Sequence, residues 1–205
     1  MEDLILKNEE EVLEKINKVE KAYANLMDVL FNPQWREDPN SKDTPKRVAK
    51  MLVKEIYSGL FSLPPKITAF KNKGKYDGIV FEGNIEIKSM CSHHHMPFKG
   101  VAYIAYIPKE ESNIIGLSKL NRVSDYISRK PQVQENLTIE IHNFLEKTIG
   151  NNKGIAVMLK CEHSCVSHRG VNQKSTMITS KLSGAFIDNN NLARNEFYQF
   201  IERLK

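Results

Sequence analysis

The chain has 205 residues, 40% of them hydrophobic and 27% charged, with a formal net charge of +5. These figures fit a soluble globular protein with one main domain, or a small helical piece joined to a larger one. No apolar run approaches the length of a bilayer span, so a membrane-crossing chain is excluded. The modest positive charge suits an acidic small substrate and equally an ordinary lysine-rich surface; no nucleic-acid or membrane partner is expected from it.

The start, Met1-Glu2-Asp3, lacks the basic opening and small-residue cleavage site of a signal peptide, and a cytoplasmic location is expected. From Glu9 to Phe31, Val12, Ile16, Val19, Tyr23, Met27 and Leu30 recur at steps of three and four, which predicts an amphipathic helix packed on a neighbour. Residues 32–45 are rich in turn formers. Thr44-Pro45 then offers an N-cap and a first-turn proline to a second helix reaching about Tyr57, with Gly59 as its stop. Residues 78–91 and 100–108 are rich in β-branched and aromatic residues and predict two strands flanking "SMCSHHHMPFKG" (89–100), so three consecutive histidines fall at a sheet turn. Helices are predicted from Ser118 to Ser128 and from Val133 to Ile149, the second with Leu137, Ile141, Phe144 and Leu145 on one face before Gly150. A strand over 153–166, another over 175–186 and a closing helix from Asn191 to Leu204 complete the chain, which has no internal repeat.

The three cysteines, Cys91, Cys161 and Cys165, all lie near histidines, a pattern that favours metal binding or catalysis over a disulfide framework. In a strand over 153–166, Cys161, His163 and Cys165 would share one face, which could meet Cys91 and the histidines. Two clusters of sulfur and imidazole, some 70 residues apart, are what a zinc site assembled by folding requires. There are more candidate ligands than a closed tetrahedron needs, and surplus imidazoles suit acid/base work beside an open metal position. The H-x-E and P-C-x-x-C pattern of the zinc nucleoside deaminases is absent.

Ser118 opens a predicted helix whose free N–H groups favour anions, with Lys119 and Arg122 close behind. Arg47 and Lys50 fall one turn apart on the second helix, and Arg169 follows the Cys165 segment; together these cations would suit a triphosphate. Glu135, in the first turn of its helix, either complements the helix dipole or accepts two hydrogen bonds from a guanine, and its position alone leaves both open.

The order of motifs resembles the GTP cyclohydrolase I family: "DTPKRVAKM" (43–51), "SMCSHHHMPFKG", "IGLSKLNRV" (115–123), "QVQENLT" (132–138), "CEHSCVSHRGV" (161–171) and "ITS" (178–180). The resemblance runs from about residue 43 to 187 and implies an α+β tunnelling fold, an antiparallel sheet backed by two helices, in a zinc-binding catalytic domain (66–205) after an N-terminal helical region (1–65). It implies zinc held by Cys91, His94 and Cys165, with His93 and His163 transferring protons and Cys161 outside the ligand set. Gln134 and Glu135 would hold guanine, and Arg47, Lys50, Ser118, Lys119, Arg122 and Arg169 the triphosphate. The implied reaction is hydrolysis and ring rearrangement of GTP to 7,8-dihydroneopterin triphosphate and formate in a toroidal homodecamer with active sites between subunits. The family motif usually reads Cys-Glu-His-His-Leu-Leu-Pro-Phe; here Ser92 stands where glutamate is expected and His95-Met96 where two leucines are, and His168 adds an imidazole. Arrest at ring opening, another purine substrate, or a non-catalytic purine- or pterin-binding module with a closed zinc site are the alternatives these changes leave open.

Overall fold

The computed structural model of the chain describes residues 4–110 and 112–204; Met1-Glu2-Asp3, on which the expectation of no leader rests, lies outside the described residues. The backbone divides between Leu63 and Pro64 into two compact units. In the first, Asn8 caps α1 (Glu9–Phe31): its side chain accepts from the Glu11 N–H at 2.9 Å, while Glu11 Oε2 accepts from the Lys7 N–H at 2.8 Å. Three glutamates in the first turn complement the helix dipole. Ile16 of α1 packs on Ala49 and Val53, ringed by Leu6, Val12, Val19 and Phe61.

The second helix begins where Thr44-Pro45 predicts, but not as one piece. After α2 (Thr44–Met51) comes a π-helical turn (Leu52–Ile56) and then α3 (Ser58–Phe61). Gly59 is therefore buried inside a helical turn and is not the stop. The chain leaves the helix at Ser62, just before Pro64-Pro65, which can neither donate to nor continue a helical ladder.

The second unit is α+β. Its elements are β1 (Ala69–Lys71), β2 (Val80–Cys91), β3 (Pro97–Pro108), β4 (Asn113–Ile115), α4 (Leu117–Ser128), β5 (Pro131–Gln132), α5 (Gln134–Ile149), β6 (Asn152–His163), α6 (Ser164–Ser167), β7 (Thr176–Leu182) and α7 (Leu192–Glu202). The main sheet has the order β5-β2-β3-β6-β7, antiparallel except for the two-residue parallel pairing of β5 with β2; β1 and β4 form a separate two-stranded sheet. One sheet face carries Ile85 and Ile87, Ala102, Ile104 and Tyr106, and Ile155, Val157 and Leu159, alternating with period two, and buries them against α4 and α5. On the other face Tyr103, Ala105, Ile107 and Ala156 meet Phe186 and the Phe197 and Ile201 of α7. Both parities of the central strand are thus buried, which is why residues 101–108 read as a nearly continuous apolar run. Each of the fully buried aliphatic side chains contributes about 1.5–3 kcal/mol.

Two strands end earlier than the sequence predicts. The strand predicted over 153–166 ends at His163, where α6 begins, so alternation relates Cys161 to His163 but not to Cys165. The strand predicted over 175–186 ends at Leu182: Gly184 sits at φ 54, with space for a Cβ blocked by the Lys153 carbonyl, and a 3-10 turn follows. Besides its apolar stripe, α5 carries a buried polar row at four-residue steps, Gln134, Thr138 and His142. Its partners come from β7 and the residue after it: Gln134 and Thr138 reach Thr179, and His142 Nε2 lies 2.9 Å from Ser183 Oγ.

Candidate functional site

β2 ends at Cys91, and residues 92–96 turn the chain into β3. The Cys91 N–H donates to the Met96 carbonyl and the His95 N–H to the Cys91 carbonyl, both at 2.9 Å, and His95 takes the left-handed conformation at φ 50. Histidine enters that region more readily than bulky or β-branched residues do. A regular strand would set Cys91 and His94 on opposite faces; the turn brings them to the same place. Cys165 arrives from α6, at the end of β6, with β3 lying between β2 and β6.

The ligand atoms of Cys91, His94 and Cys165 all lie within 4.8 Å of one another, and among the described residues this is the only such group of three or more. A tetrahedral ion with sulfur at about 2.3 Å and nitrogen at about 2.0 Å spaces its ligand atoms about 3.5–3.8 Å apart, so closure asks for shifts of about 1 Å. Two thiols and an imidazole suit a borderline-soft divalent ion, and three protein ligands leave a fourth position open. The Cys165 thiol is pushed up by burial, and further by the hydrogen bond and charge of Cys91, while Arg169 opposes the shift. Cys161 stands apart: it is 1% exposed in the core, where burial pushes its thiol up to about 12.

The neighbouring imidazoles differ in how firmly they are held. His93 is exposed, with Nδ1 at 3.7 Å from Cys91 Sγ. His163 is half-buried at the end of β6, stacked on Phe98 with 4.7 Å between ring centroids and 11° between planes. Its Nε2 lies 2.8 Å from Gln134 Oε1. Burial lowers the His163 pKa, and the carboxylate of Glu135 pulls it back up. Gln134 itself is 1% exposed, and its amide nitrogen faces Thr179 Oγ1 at 3.0 Å and the Met177 carbonyl at 3.1 Å. Within the second unit the fold therefore gathers Cys91, His93, His94, Cys165, His163, Gln134, Glu135 and Arg169.

Arg169 is brought to the cluster directly, its Nη1 at 2.7 Å from His94 Nε2. Ser118 and Lys119 occupy the first turn of α4, which begins at Leu117 behind Gly116, so Ser118 lies inside the helix and is not its cap; Arg122 follows on the next turn and is exposed. Arg47 and Lys50 lie exposed on α2 in the N-terminal unit, Arg47 paired with Asp43 at 3.6 Å. Ser92 gives its N–H to the Gln132 carbonyl, and His168 Nδ1 lies 2.8 Å from Ser167 Oγ. Phe98, Thr138 and Thr179 were not singled out from the sequence. Their contribution is the support of His163 and Gln134, and each lies inside a quoted motif, Phe98 in "SMCSHHHMPFKG", Thr138 in "QVQENLT" and Thr179 in "ITS".

The sequence model of the family described as GTP cyclohydrolase I matches residues 13–202. The chain is 39% identical over 191 residues to GTP cyclohydrolase 1 of Flavobacterium johnsoniae, covering 92% of this chain and 82% of that one. It is 42% identical over 194 residues to GTP cyclohydrolase 1 of Sulfurihydrogenibium sp. (strain YO3AOP1), covering 92% and 96%. Among solved structures, the archaeosine synthase QueF-Like in the apo form overlaps 50% of this chain and 92% of its own length, at a TM-score of 0.37 and 12% identity. With a family match spanning nearly the whole chain and relatives near 40% identity along most of their own length, this protein belongs to the GTP cyclohydrolase I family.

Proposed function

We propose that this chain converts GTP and water to 7,8-dihydroneopterin triphosphate and formate, in the cytoplasm, as a zinc enzyme of pterin and folate synthesis. The observation that carries the proposal is the meeting of Cys91, His94 and Cys165 at a three-ligand cluster, with the supported imidazole of His163 in the same unit. Residues 66–205 would carry the chemistry and residues 1–65 form a helical region. Family membership favours a homo-oligomer, a decamer with active sites between subunits.

Zinc on Cys91, His94 and Cys165 would supply Lewis acidity beside C8 of the purine. His163, its ring plane fixed by Phe98 and one nitrogen engaged by Gln134, takes the proton of the attacking water at its other ring nitrogen. His93, exposed and with Nδ1 toward Cys91 Sγ, returns a proton to the imidazole nitrogen that leaves as the ring opens. Glu135 accepts from the guanine N1–H and exocyclic amine, a pairing that rejects purines lacking those donors. Ser118, Lys119, Arg122 and Arg169 hold the triphosphate, and this remote binding positions C8 for attack.

Ser92 carries no charge at the position where the family motif usually reads glutamate, which favours a second reading, arrest after ring opening. Incubation of the zinc-loaded protein with GTP, followed for formate and for pterin fluorescence together, separates the two. Both signals are expected; formate without fluorescence supports arrest, and substrate binding with neither signal supports a non-catalytic module.

A further inference from the structure

We propose that Thr179 and Thr138, acting through Gln134, determine which ring nitrogen of His163 carries its proton, and are therefore positioning residues for the proton transfer. The inference deepens the proposed function, since it rests on His163 being a proton carrier.

The direction of each hydrogen bond follows from donor counts alone. Thr138 Oγ1 donates its single proton to the Gln134 backbone carbonyl, one helical turn earlier, at 2.8 Å. Toward Thr179 Oγ1, 2.7 Å away, Thr138 can then only accept, so Thr179 is the donor of that pair. With its proton engaged there, Thr179 Oγ1 accepts from Gln134 Nε2 at 3.0 Å. The same amide nitrogen faces two backbone carbonyls, Met177 at 3.1 Å and Leu159 at 3.4 Å, neither of which can donate. A flipped amide would set its oxygen against those carbonyl oxygens in a site where Gln134 is 1% exposed, an arrangement with no compensation from water.

The amide oxygen is thereby committed to His163 Nε2 at 2.8 Å, and an amide oxygen can only accept. In the neutral ring Nε2 must carry the proton, and Nδ1 is left as the sole basic nitrogen. Stacking on Phe98 at 11° fixes the ring plane. The chain of contacts also explains the buried polar row of α5: Gln134 and Thr138 lie on one helix face at a four-residue step, and the β6–β7 register sets Thr179 opposite Leu159, where it reaches both. An apolar residue at 179 would remove the shortest of the three contacts of Gln134 Nε2 and leave only the two longer carbonyl contacts, so the amide is held less firmly and the imidazole can change tautomer.

The test uses the zinc-loaded full chain with 15N-labelled histidine, the His163 signals being identified by difference against His163→Asn. Spectra should show Nδ1 unprotonated in the parent protein and a mixture of tautomers in Thr179→Val, an isosteric change. In parallel, kcat for formate release should fall about tenfold to a hundredfold in Thr179→Val with KM changed less than about twofold, a fraction of what general-base catalysis supplies. Thr179→Ser, which restores the hydroxyl, should recover both. Thr138→Val tests the same chain if Thr179→Val does not fold. An unprotonated Nε2 in the parent protein overturns the proposal, as does a Thr179→Val variant with parental tautomer and kcat. Parent protein that releases no formate from GTP refutes the proposed function instead, and the spectra then decide the tautomer claim by themselves.

Discussion

Gly100 pairs with Cys161 across β3 and β6, and the two strands approach so closely there that a Cβ on residue 100 would lie 1.9 Å from the Lys160 carbonyl oxygen and 2.6 Å from Cys161 Cα. Ordinary contact begins at 3.4 Å, so Gly100→Ala demands a displacement of about 1.5 Å (3.4 minus 1.9). The obstructing atoms are backbone and cannot rotate aside, so the ladder itself must open. Losing about two strand hydrogen bonds at about 1 kcal/mol each, with about 1–3 kcal/mol of overpacking, gives a cost of about 3–5 kcal/mol. That is a large part of the about 5–15 kcal/mol by which a domain is stable. Urea unfolding followed by far-UV circular dichroism should show the midpoint fall with little change in slope. The damage should also reach the site, because His163 follows Cys161 by two residues on β6 and stacks on Phe98, two residues before Gly100. A Gly100→Ala protein within about 0.5 kcal/mol of the parent would refute the reasoning, since only a surface substitution should be that mild.

The thiols make opposite predictions by position: Cys165→Ala should lose bound zinc measured by elemental analysis, whereas Cys161→Ala should keep one ion per chain and cost only about 1 kcal/mol of stability. Zinc retained by Cys165→Ala would refute the ligand set. Arg169 donates to a lone pair of His94, but a neutral imidazole that ligates a metal has its lone pair on the ion and a proton on its other nitrogen. Metal uptake must break that contact, so Arg169→Ala should tighten zinc binding about twofold to tenfold in competition with a chromophoric chelator; equal or weaker binding would contradict it. For His142, burial holds the imidazole below its usual 6.5, with Lys181 acting in the same direction and Asn143 and Glu146 pulling it back up. The folded state then binds fewer protons than the unfolded chain, so its contribution to stability is complete above about pH 6.5 and is lost as pH falls below that value. His142→Gln keeps an amide to face Ser183 and has no group to titrate there. It should flatten the acid limb of the urea midpoint against pH, and curves that stay parallel to the parent's would show that His142 is not responsible.

The sequence carries some of these features and conceals others for definite reasons. α1 is legible to its ends because Asn8, the three glutamates and the apolar spacing all act within one helix. The metal cluster is legible because sulfur and imidazole are few and grouped. The break of the second helix at Leu52–Ile56 leaves no mark in local composition, and β5, only Pro131–Gln132, is too short to carry a period. The polar row of α5 is hidden for a different reason. Gln134, Thr138 and His142 are polar and carry no local sign of burial, and what makes them buried is Thr179 and Ser183, more than 40 residues later. A buried polar side chain is recognised by its partner, and here the partner belongs to another strand.

The order of strands has a consequence for synthesis on the ribosome. Cys91 and His94 emerge early, on the turn between β2 and β3, but Cys165 follows the whole of β6, the strand whose pairing with β3 brings it to them. A growing chain therefore displays a half-built chelate through some 70 residues of translation, and the second thiol arrives together with the sheet that holds it. On the proposed ligand set, metal capture would thus be a late report that long-range pairing has succeeded.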